Sequence, residues 1–392
     1  MKEKVQAPQL RFDGFTDDWE ERKLAEFTTS FSGGTPSAGN SSYYKGDIPF
    51  IRSGEINSDK TELFLTEDGL KNSSAKMVSV GDILYALYGA TSGEVGISQI
   101  NGAINQAILA IKPCDGYNSH FLMQWLKLQK QRIIDKYLQG GQGNLSGSIV
   151  KNLVLNVPNF EEQKKIGTFF KQLDDTITLH QRKLDLLKEQ KKGYLQKMFP
   201  KNGSKIPELR FEGFTDDWEQ RKLGDEVRIV MGQSPNSENY TDDPNDYILV
   251  QGNADMKNGR VLPRVWTTQV TKQAEKDDLI LSVRAPVGDI GKTAYDVVIG
   301  RGVAAIKGNE FIFQNLGKMK SDGYWTRYST GSTFESINST DIKEAIISVP
   351  AIEEQDKIGS FFKQLDNTIA LHQLKLDLLK EQKKGFLQKM FA

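Results

Sequence analysis

Cysteine and histidine are scarce in this chain: Cys114 is the only cysteine, and three histidines stand among 392 residues. A single cysteine excludes an internal disulfide framework and favours a reducing compartment. Its position after an apolar run, residues 107–111, favours a structural thiol over a nucleophile, as is usual for buried cysteine. So few cysteines and histidines also exclude a clustered zinc site.

An excess of charge of one sign is missing as well, because 51 basic residues balance 51 acidic ones. The chain therefore has no global basic field, although local basic surfaces remain compatible with this composition. No stretch approaches the roughly 20 apolar residues of a membrane span. The first residues lack the apolar core of a signal peptide. We expect a soluble cytoplasmic protein.

Motifs that carry catalysis are incomplete. Residues 156–160 (NVPNF) lack the second adjacent proline of the polar-Pro-Pro-aromatic loop that adenine methylation needs. Residues 288–293 (GDIGKT) resemble the end of a phosphate-binding loop, but Pro286 occupies a position that requires glycine, and the following residues predict a strand instead of a helix. The sequence thus predicts a chain with no catalytic residues, no metal and no cofactor of its own.

Two blocks of the sequence occur twice in the chain. Residues 161–199 recur as residues 353–391 with six differences in 39 positions, and residues 8–24 recur as residues 207–223 with fourteen matches in 17. The segments between these repeats are almost unrelated in sequence. Two nearly identical frames around two different inserts indicate a symmetric scaffold that presents two different surfaces.

The 39-residue block predicts one long helix. Its apolar residues recur every three or four positions, Glu161 and Glu162 suit the helix start, and Pro158 and Pro200 bracket it. A helix of 39 residues spans about 58 Å. Its apolar stripe needs a partner, and we expect the second copy to supply it as an antiparallel coiled coil with pseudo-twofold symmetry. The alternative is that each helix packs only on its own insert.

The expected pairing and partner interface consists of fourteen stripe residues, seven in each copy. These are Ile166, Phe170, Leu173, Ile177, His180, Leu184 and Leu187, and then Ile358, Phe362, Leu365, Ile369, His372, Leu376 and Leu379. The two histidines occupy equivalent positions of the stripe, which favours a packing role over catalysis.

The inserts resemble diverged copies of one α/β (α+β) domain. Residues 93–96 (GEVG) match residues 288–291 (GDIG), and residues 105–112 match residues 300–307. A helical stretch, a loop rich in glycine and serine, and a short strand ending in proline follow in both. The predicted organisation is a first α/β domain at 1–160, a helix at 161–199, a linker at 200–206, a second domain at 207–352 and a second helix at 353–392.

These segments resemble a specificity subunit of a Type I restriction-modification system along essentially the whole chain. The resemblance is carried by the repeated GFTDDWE, by GGTP at 33–36, MGQSP at 231–235 and the helix pattern EEQxKIGxFFxxLD. It implies two target recognition domains, each reading one half of a bipartite, asymmetric DNA site. It also implies that the helices set the spacer between the halves and dock two modification (methyltransferase) subunits.

The same resemblance implies that other chains perform the chemistry. The modification subunits would methylate adenine with S-adenosylmethionine, and two restriction subunits would use ATP and Mg²⁺ to translocate and cleave DNA in a bacterial cytoplasm. A pure scaffold without a DNA role and a fused restriction-methylation enzyme are the alternatives. The diverged inserts argue against the first, and the missing methyltransferase loop argues against the second.

Candidate DNA contacts lie in polar loops between matched strands. Arginine pairs with guanine and glutamine or asparagine with adenine, while hydroxyls and glycine backbones approach phosphate. Each candidate has an ordinary solvated loop residue as its alternative, and Gln106 has a structural one, satisfying backbone groups within a sheet. The candidates are Gly34, Thr35, Arg52, Tyr88, Thr91, Ser92, Gln106, Gln142 and Asn144 in the first domain, and Gln233, Ser234, Gln251, Asn253, Arg284, Arg301, Ser332 and Thr333 in the second.

Overall fold

The structure is a computed structural model that describes residues 8–138, 144–201, 204–328 and 336–391. The chain folds into two compact units. Unit 1 comprises Met1–Gln181 with Leu374–Ala392, and unit 2 comprises Arg182–Gln373. The division therefore falls inside both long helices, whereas the sequence ranges treat each helix as a segment of its own.

Unit 1 contains two small sheets beside a two-stranded ribbon. In chain order its strands are β1 (Glu20–Lys23), β2 (Thr28–Ser32), β3 (Tyr44–Ile51), β4 (Phe64–Leu65), β5 (Lys76–Val78), β6 (Ile83–Ala86), β7 (Val95–Ile97), β8 (Gly102–Ile104), β9 (Ile108–Pro113) and β10 (Val154–Val157). One sheet has the order β2-β9-β6-β7 and is antiparallel, and the other has the order β4-β3-β8-β5 with β3 and β8 parallel. Strands β1 and β10 pair with each other.

The helices of unit 1 follow from local capping signals. They are α1 (Leu24–Phe27), α2 (Glu67–Lys71), α3 (Ser119–Tyr137), α4 (Gly147–Lys151) and the first part of α5 (Phe160–Met198). Asn118 caps α3, since its side chain accepts the backbone N–H of Phe121 at 3.0 Å. Helix α5 begins and ends one residue earlier than the repeat at 161–199 predicts.

Unit 2 repeats this plan with more and shorter strands. They are β11 (Glu219–Lys222), β12 (Arg228–Met231), β13 (Tyr240–Thr241), β14 (Tyr247–Val250), β15 (Met256–Lys257), β16 (Arg260–Val261), β17 (Trp266–Thr267), β18 (Gln273–Ala274), β19 (Leu279–Ser282), β20 (Ile290–Lys292), β21 (Val297–Ile299), β22 (Val303–Lys307) and β23 (Ile346–Val349). The sheets run β12-β22-β19-β20-β16-β15 and β13-β17-β14-β21-β18, and β11 pairs with β23. Its helices are α6 (Leu223–Glu226), α7 (Glu310–Ser321), α8 (Ser339–Lys343), the second part of α5 and the first part of α9 (Ile352–Phe391), whose end belongs to unit 1.

An aromatic cluster closes the core of each unit, and its members correspond. In unit 1, Trp19 meets Phe121 and Phe170 meets Phe391, in each case with ring centroids 5.9 Å apart. In unit 2, Trp218 meets Phe311 at 5.6 Å, and Phe199 meets Phe362 at 6.2 Å. Each core thus joins the start of one long helix to the end of the other.

Inside each unit the contacts between α5 and α9 run antiparallel. In unit 1, Phe169 meets Phe386 with ring centroids 5.1 Å apart, and Asp174 meets Lys383 at 2.6 Å. In unit 2, Lys191 meets Asp366 at 2.6 Å, and Tyr194 meets Phe361 with centroids 5.0 Å apart. Both expected partners of the stripe are therefore used, since the start of each helix packs on its own unit and on the end of its copy.

The expectation of a buried thiol at Cys114 is wrong. Its side chain is exposed, because the residue follows the last position of β9 in the turn toward α3. Its backbone N–H donates to the carbonyl of Phe27 at 2.9 Å. The apolar run before it predicts the burial of the strand and does not extend to the turn.

Candidate nucleic-acid interface

A polar cleft of about 400 Å³ opens in unit 2 where several strands end. Strands β14 and β21 are parallel, so Gln251, directly after β14, and Arg301, two residues after β21, emerge at the same edge of the sheet. The backbone N–H of Gly300 donates to the carbonyl of Val250 at 2.8 Å and holds this edge together. The cleft is lined by Ser234, Tyr240, Gln251, Gly252, Asn253, Ser282, Arg284, Ala285, Arg301 and Gly302.

Two arginines stand side by side in this cleft. The backbone N–H of Val283 donates to the carbonyl of Gly302 at 2.9 Å, which places the adjoining residues Arg284 and Arg301 on neighbouring backbone segments. Both are exposed, and neither forms a salt bridge with another residue in the described parts of the chain. The lining contains no carboxylate, so the cleft presents chiefly hydrogen-bond donors and positive charge.

Hydrogen bonds fix the neighbouring polar groups. The Ser234 hydroxyl oxygen accepts the backbone N–H of Arg301 at 3.1 Å. The Tyr240 hydroxyl donates to the side-chain oxygen of Gln251 at 3.3 Å, which leaves the Gln251 amide N–H₂ as a donor. Asp255 is turned to the backbone and accepts the N–H of Gln251 at 2.8 Å. These bonds fix the Gln251 side chain and the backbone of Arg301 at the edge of the cleft.

Unit 1 builds the same frame with different side chains. The backbone N–H of Leu87 donates to the carbonyl of Ala107 at 2.7 Å, so Tyr88 and Gln106 take the places of the two arginines. The Thr35 hydroxyl donates to the side-chain oxygen of Gln106, whereas the Ser234 hydroxyl of unit 2 accepts from the backbone N–H of Arg301. Tyr88 also forms an isolated bridge with Asn144, as Arg284 does with Ser336.

Arg52 occupies the place of Gln251 but its charge is already paired. Its guanidinium donates to Glu55 at 2.8 Å and to Glu62 at 2.8 Å, and this hydrogen bonding raises the pKa of Arg52. Burial alone would raise the pKa of Glu55, but hydrogen bonds from Arg52, from backbone N–H groups and from Thr61 outweigh it and lower that pKa to about 2. Arg52 therefore contributes little free positive charge.

Several candidates face the interior or lie apart from the clusters. Ser92 is 7% exposed, and its hydroxyl donates to the carbonyl of Leu87 at 3.3 Å. A Cβ on Gly34 would lie 1.9 Å from the Ser74 hydroxyl, so this glycine serves close packing between loops. The Thr91 hydroxyl donates to the carbonyl of Tyr88 at 3.3 Å, and Gln233 is exposed outside the cleft lining. These four residues therefore do not belong to the candidate DNA-contacting site.

Three candidates, Gln142, Ser332 and Thr333, lie outside the described residues. Asn253 does line the cleft. Two residues missing from the sequence candidates are Tyr240, which orients Gln251, and Ser336, which is bridged to Arg284. Ser336 ends the serine-rich loop that the sequence analysis identified, whereas no sequence signal marks Tyr240.

The stripe residues of the long helices are buried or half-buried throughout. Ile166, Phe170, Leu184, Leu187, Ile358, Phe362 and Leu376 are buried, and Leu173, Ile177, His180, Leu365, Ile369, His372 and Leu379 are half-buried. This burial is compatible with the predicted packing surface. The half-buried positions of His180 and His372 match each other, in keeping with the repeat.

A polar triad that the sequence analysis missed recurs beside the stripe. In unit 1 the Gln124 amide donates to Asp174 at 2.7 Å, and Lys383 meets the same carboxylate at 2.6 Å. In unit 2 the corresponding triad is Gln314 with Asp366 at 2.8 Å and Lys191 with Asp366 at 2.6 Å. Each triad joins the long helix that carries its aspartate, α5 in unit 1 and α9 in unit 2, to the remainder of its unit and to the other long helix.

Within the described ranges, no group of three or more histidine, cysteine, aspartate or glutamate side chains is arranged to hold a metal ion.

Among the helices of the described residues, none combines the length and the apolar character needed to cross a membrane.

Comparisons with known proteins all relate the chain to one family. A family model described as "Type I restriction modification DNA specificity domain" matches residues 16–189 and again residues 215–381. The chain is 28% identical over 395 residues to the putative type I restriction enzyme MjaX specificity subunit of Methanocaldococcus jannaschii, covering 95% of this chain and 92% of the relative. It is also 28% identical over 177 residues to the type I restriction enzyme HindI specificity subunit of Haemophilus influenzae, covering 41% and 37% of the two chains.

Solved structures show the same fold. The crystal structure of a Type-I restriction-modification system S subunit from M. genitalium superposes with a TM-score of 0.73, at 17% identity, over 99% of both chains. The two family matches together span most of this chain and place one domain in each half. The chain therefore belongs to the Type I restriction modification DNA specificity family and is a specificity subunit with two such domains.

Proposed function

We propose that this chain is the DNA-recognition subunit of a Type I restriction-modification complex and that each of its two domains reads one half of a bipartite, asymmetric site. The observation that carries the proposal is the pair of matched frames. The same hydrogen-bonded backbone positions hold Tyr88 and Gln106 in unit 1 but Arg284 and Arg301 in unit 2. A scaffold without a DNA role has no use for such a difference, whereas a reader of two unlike half-sites requires it.

The long helices supply the assembly function in this proposal. They set the number of unread base pairs between the half-sites and dock two methyltransferase subunits. On these helices Leu179, Leu374 and Leu378 of unit 1, and separately Leu186 and Leu371 of unit 2, are 51–67% exposed, and such apolar exposure supports a docking role for the helix surface of each unit. The chain itself performs no chemistry, since the methyltransferase subunits use S-adenosylmethionine and two restriction subunits use ATP and Mg²⁺ in the bacterial cytoplasm.

An exchange of one insert tests the proposal. Residues 25–160 are replaced by the corresponding insert of a relative, and the complete system is expressed in cells whose methylated adenines are then mapped. We expect one half of the methylated motif to change and the other half to stay. A change in both halves, or in neither, would contradict modular reading. The same mapping with residues 224–352 exchanged serves as the reciprocal control.

A further inference from the structure

Four positions form a corresponding cluster in each unit. We call Thr35, Tyr88, Gln106 and Asn144 the neutral cluster, and Ser234, Arg284, Arg301 and Ser336 the arginine cluster. The correspondence rests on the backbone, because the N–H of Leu87 donates to the carbonyl of Ala107 as the N–H of Val283 donates to that of Gly302, and Tyr88 and Arg284 each bridge to the loop before the last strand. The hydroxyls differ, since Thr35 bonds to the side chain of Gln106 and Ser234 to the backbone of Arg301. The two clusters therefore meet a ligand from equivalent places.

The clusters differ in charge. The neutral cluster offers hydroxyl and amide groups, whereas the arginine cluster adds two guanidinium groups that are exposed and form no salt bridge among the described residues. The nearby acidic residue Asp255 is 6% exposed and bonds to the backbone N–H groups of Gln251 and Gly252. It leaves the charge of Arg284 and Arg301 available to a ligand.

This difference distinguishes base edges from phosphate. A phosphate contact that both domains need would keep a basic side chain at the matched position in both, since phosphates are the same at every site. Instead a neutral amide stands opposite a guanidinium. The contrast is the one that separates adenine from guanine in the major groove, where adenine presents an acceptor and a donor and guanine presents two acceptors.

The donor and acceptor inventory assigns each residue a base. Arginine has only donors, so it matches the O6 and N7 of guanine and has no acceptor for the amino group of adenine. Glutamine has one acceptor and two donors, which match adenine N6 and N7. The Thr35 hydroxyl occupies one lone pair of the Gln106 oxygen, which fixes the amide plane and leaves its second lone pair and its N–H₂ to a base.

We propose that Gln106 and Arg301 are corresponding base-reading residues: Gln106 reads an adenine in the half-site of unit 1, and Arg301 reads a guanine at the corresponding place in the half-site of unit 2. The inference rests on the proposed DNA-recognition function and adds the identity of one base in each half-site. Arg284 flanks Arg301 and Tyr88 flanks Gln106, and each contacts the adjoining base pair.

Reciprocal substitution tests the assignment. Arg301→Gln and Gln106→Arg are expressed singly with the methyltransferase subunits of the complete system and without the restriction subunits, and the methylated adenines are mapped. We expect Arg301→Gln to replace one guanine by adenine, or to relax it, in one half-site only. Gln106→Arg changes one adenine toward guanine in the other half-site. In each variant, the preference for guanine over adenine at the affected base pair shifts by about 5- to 150-fold.

Two further variants keep the result interpretable. Arg301→Lys retains the charge but loses the two-pronged donor geometry, so base reading predicts relaxed specificity at the same base, whereas a phosphate contact predicts an unchanged motif. Arg228→Gln removes an exposed arginine of unit 2 outside the cleft and should leave the motif unchanged. Thermal unfolding of each variant complex checks that the domain is folded.

The outcomes separate this inference from the function beneath it. An unchanged motif with binding weakened equally on all sequences makes Arg301 a phosphate contact and overturns the inference, while the insert exchange still supports DNA recognition. A motif that changes in the wrong half-site also overturns it. If the insert exchange leaves the motif unchanged, the proposed function itself fails.

Discussion

At the residue scale, each long helix has a carboxylate near its start that is buried and therefore needs a counter-charge. Glu162 is fully buried and accepts two bonds from the Arg11 guanidinium, at 2.8 and 2.7 Å. Glu354 accepts the equivalent pair from Arg210, both at 2.7 Å. This bonding raises the pKa of both arginines. These bonds attach the repeated segment to the first turn of a long helix. In unit 1 residues 8–24 are attached to α5, and in unit 2 residues 207–223 are attached to α9.

Loss of either arginine should be costly. Arg11→Met leaves Glu162 buried without its counter-ion, and we expect the free energy of unfolding to fall by about 3–5 kcal/mol. Arg210→Met should act alike through Glu354. Urea unfolding measures both. Arg22→Met, which breaks an exposed ion pair with Glu20, is the matched control and should cause no comparable loss. Equal effects of Arg11→Met and Arg22→Met would argue against a buried pair.

The Glu55 carboxylate makes stability depend on pH in a definite direction. Its pKa is lowered from 4.5 to about 2 in the folded chain, so its ionised form stabilises the fold. That contribution is complete above about pH 4.5 and is lost as the pH falls through about 2. We expect the urea midpoint of the wild type to exceed that of Glu55→Gln at pH 6, with the difference shrinking between pH 4.5 and 2. A constant difference would contradict the assignment.

At the element scale, α5 and α9 are registered by polar contacts as well as by their apolar stripe. Asp174 and Lys191 lie 17 residues apart on α5, and Asp366 and Lys383 lie 17 residues apart on α9. Each aspartate pairs with the lysine of the other helix. Because a shift by one turn would separate both pairs, the triads specify one antiparallel register that the apolar stripe alone would leave less defined.

Removing a triad carboxylate should loosen one unit at a time. Asp174→Ala removes the carboxylate that binds the amide of Gln124 and the ammonium of Lys383. We expect the free energy of unfolding to fall by about 1–3 kcal/mol, with the effect confined to unit 1. Asp366→Ala should do the same in unit 2. Hydrogen exchange on α3 and α7 locates the effect. Asp175→Ala, which removes an exposed contact to Lys171, is the control, and loss of protection in both units would contradict separate triads.

At the scale of the whole molecule, the division between units after Gln181 and after Gln373 makes both helices part of both units. A change in length that is equal in the two helices keeps each triad intact if it falls between Asp174 and Lys191 and between Asp366 and Lys383. A change in one helix alone makes the two triads incompatible with a single register.

Four residues added after Leu184 and four after Leu376 satisfy this condition. They lengthen each helix by about 6 Å and turn it by about 400°, a net 40°. One base pair of B-DNA rises about 3.4 Å and turns roughly 35°, so we expect the unread spacer to grow by one or two base pairs. Mapping of methylated adenines measures it. The insertion in α5 alone should reduce assembly. An unchanged spacer with normal activity in the double insertion would contradict the proposal that the helices set the spacer.

The sequence predicts best what is decided locally. The ends of α5 lie within one residue of the repeat because periodicity and flanking prolines are local signals. The parallel pairing of β3 with β8 joins residues about 50 positions apart and leaves no local signal. The proposed readers Gln106 and Arg301 are found by aligning residues 105–112 with residues 300–307 of the sequence. The neutralisation of Arg52 by Glu62 and the inward turn of the Ser92 hydroxyl depend on how loops fold back, which composition does not reveal.

Unit 1 combines residues up to Gln181 with residues from Leu374 onward, and this wide separation in sequence has a consequence for its synthesis. The backbone N–H of Leu10 donates to the carbonyl of Lys389 at 3.0 Å, and Phe391 packs against Phe121 with ring centroids 5.1 Å apart. On the ribosome, the last of these residues emerges some 210 residues after Gln181, a delay of roughly 10 to 40 seconds. During that time the nascent unit displays an open aromatic surface. We expect this exposed surface to favour aggregation of the nascent chain until Phe391 is in place.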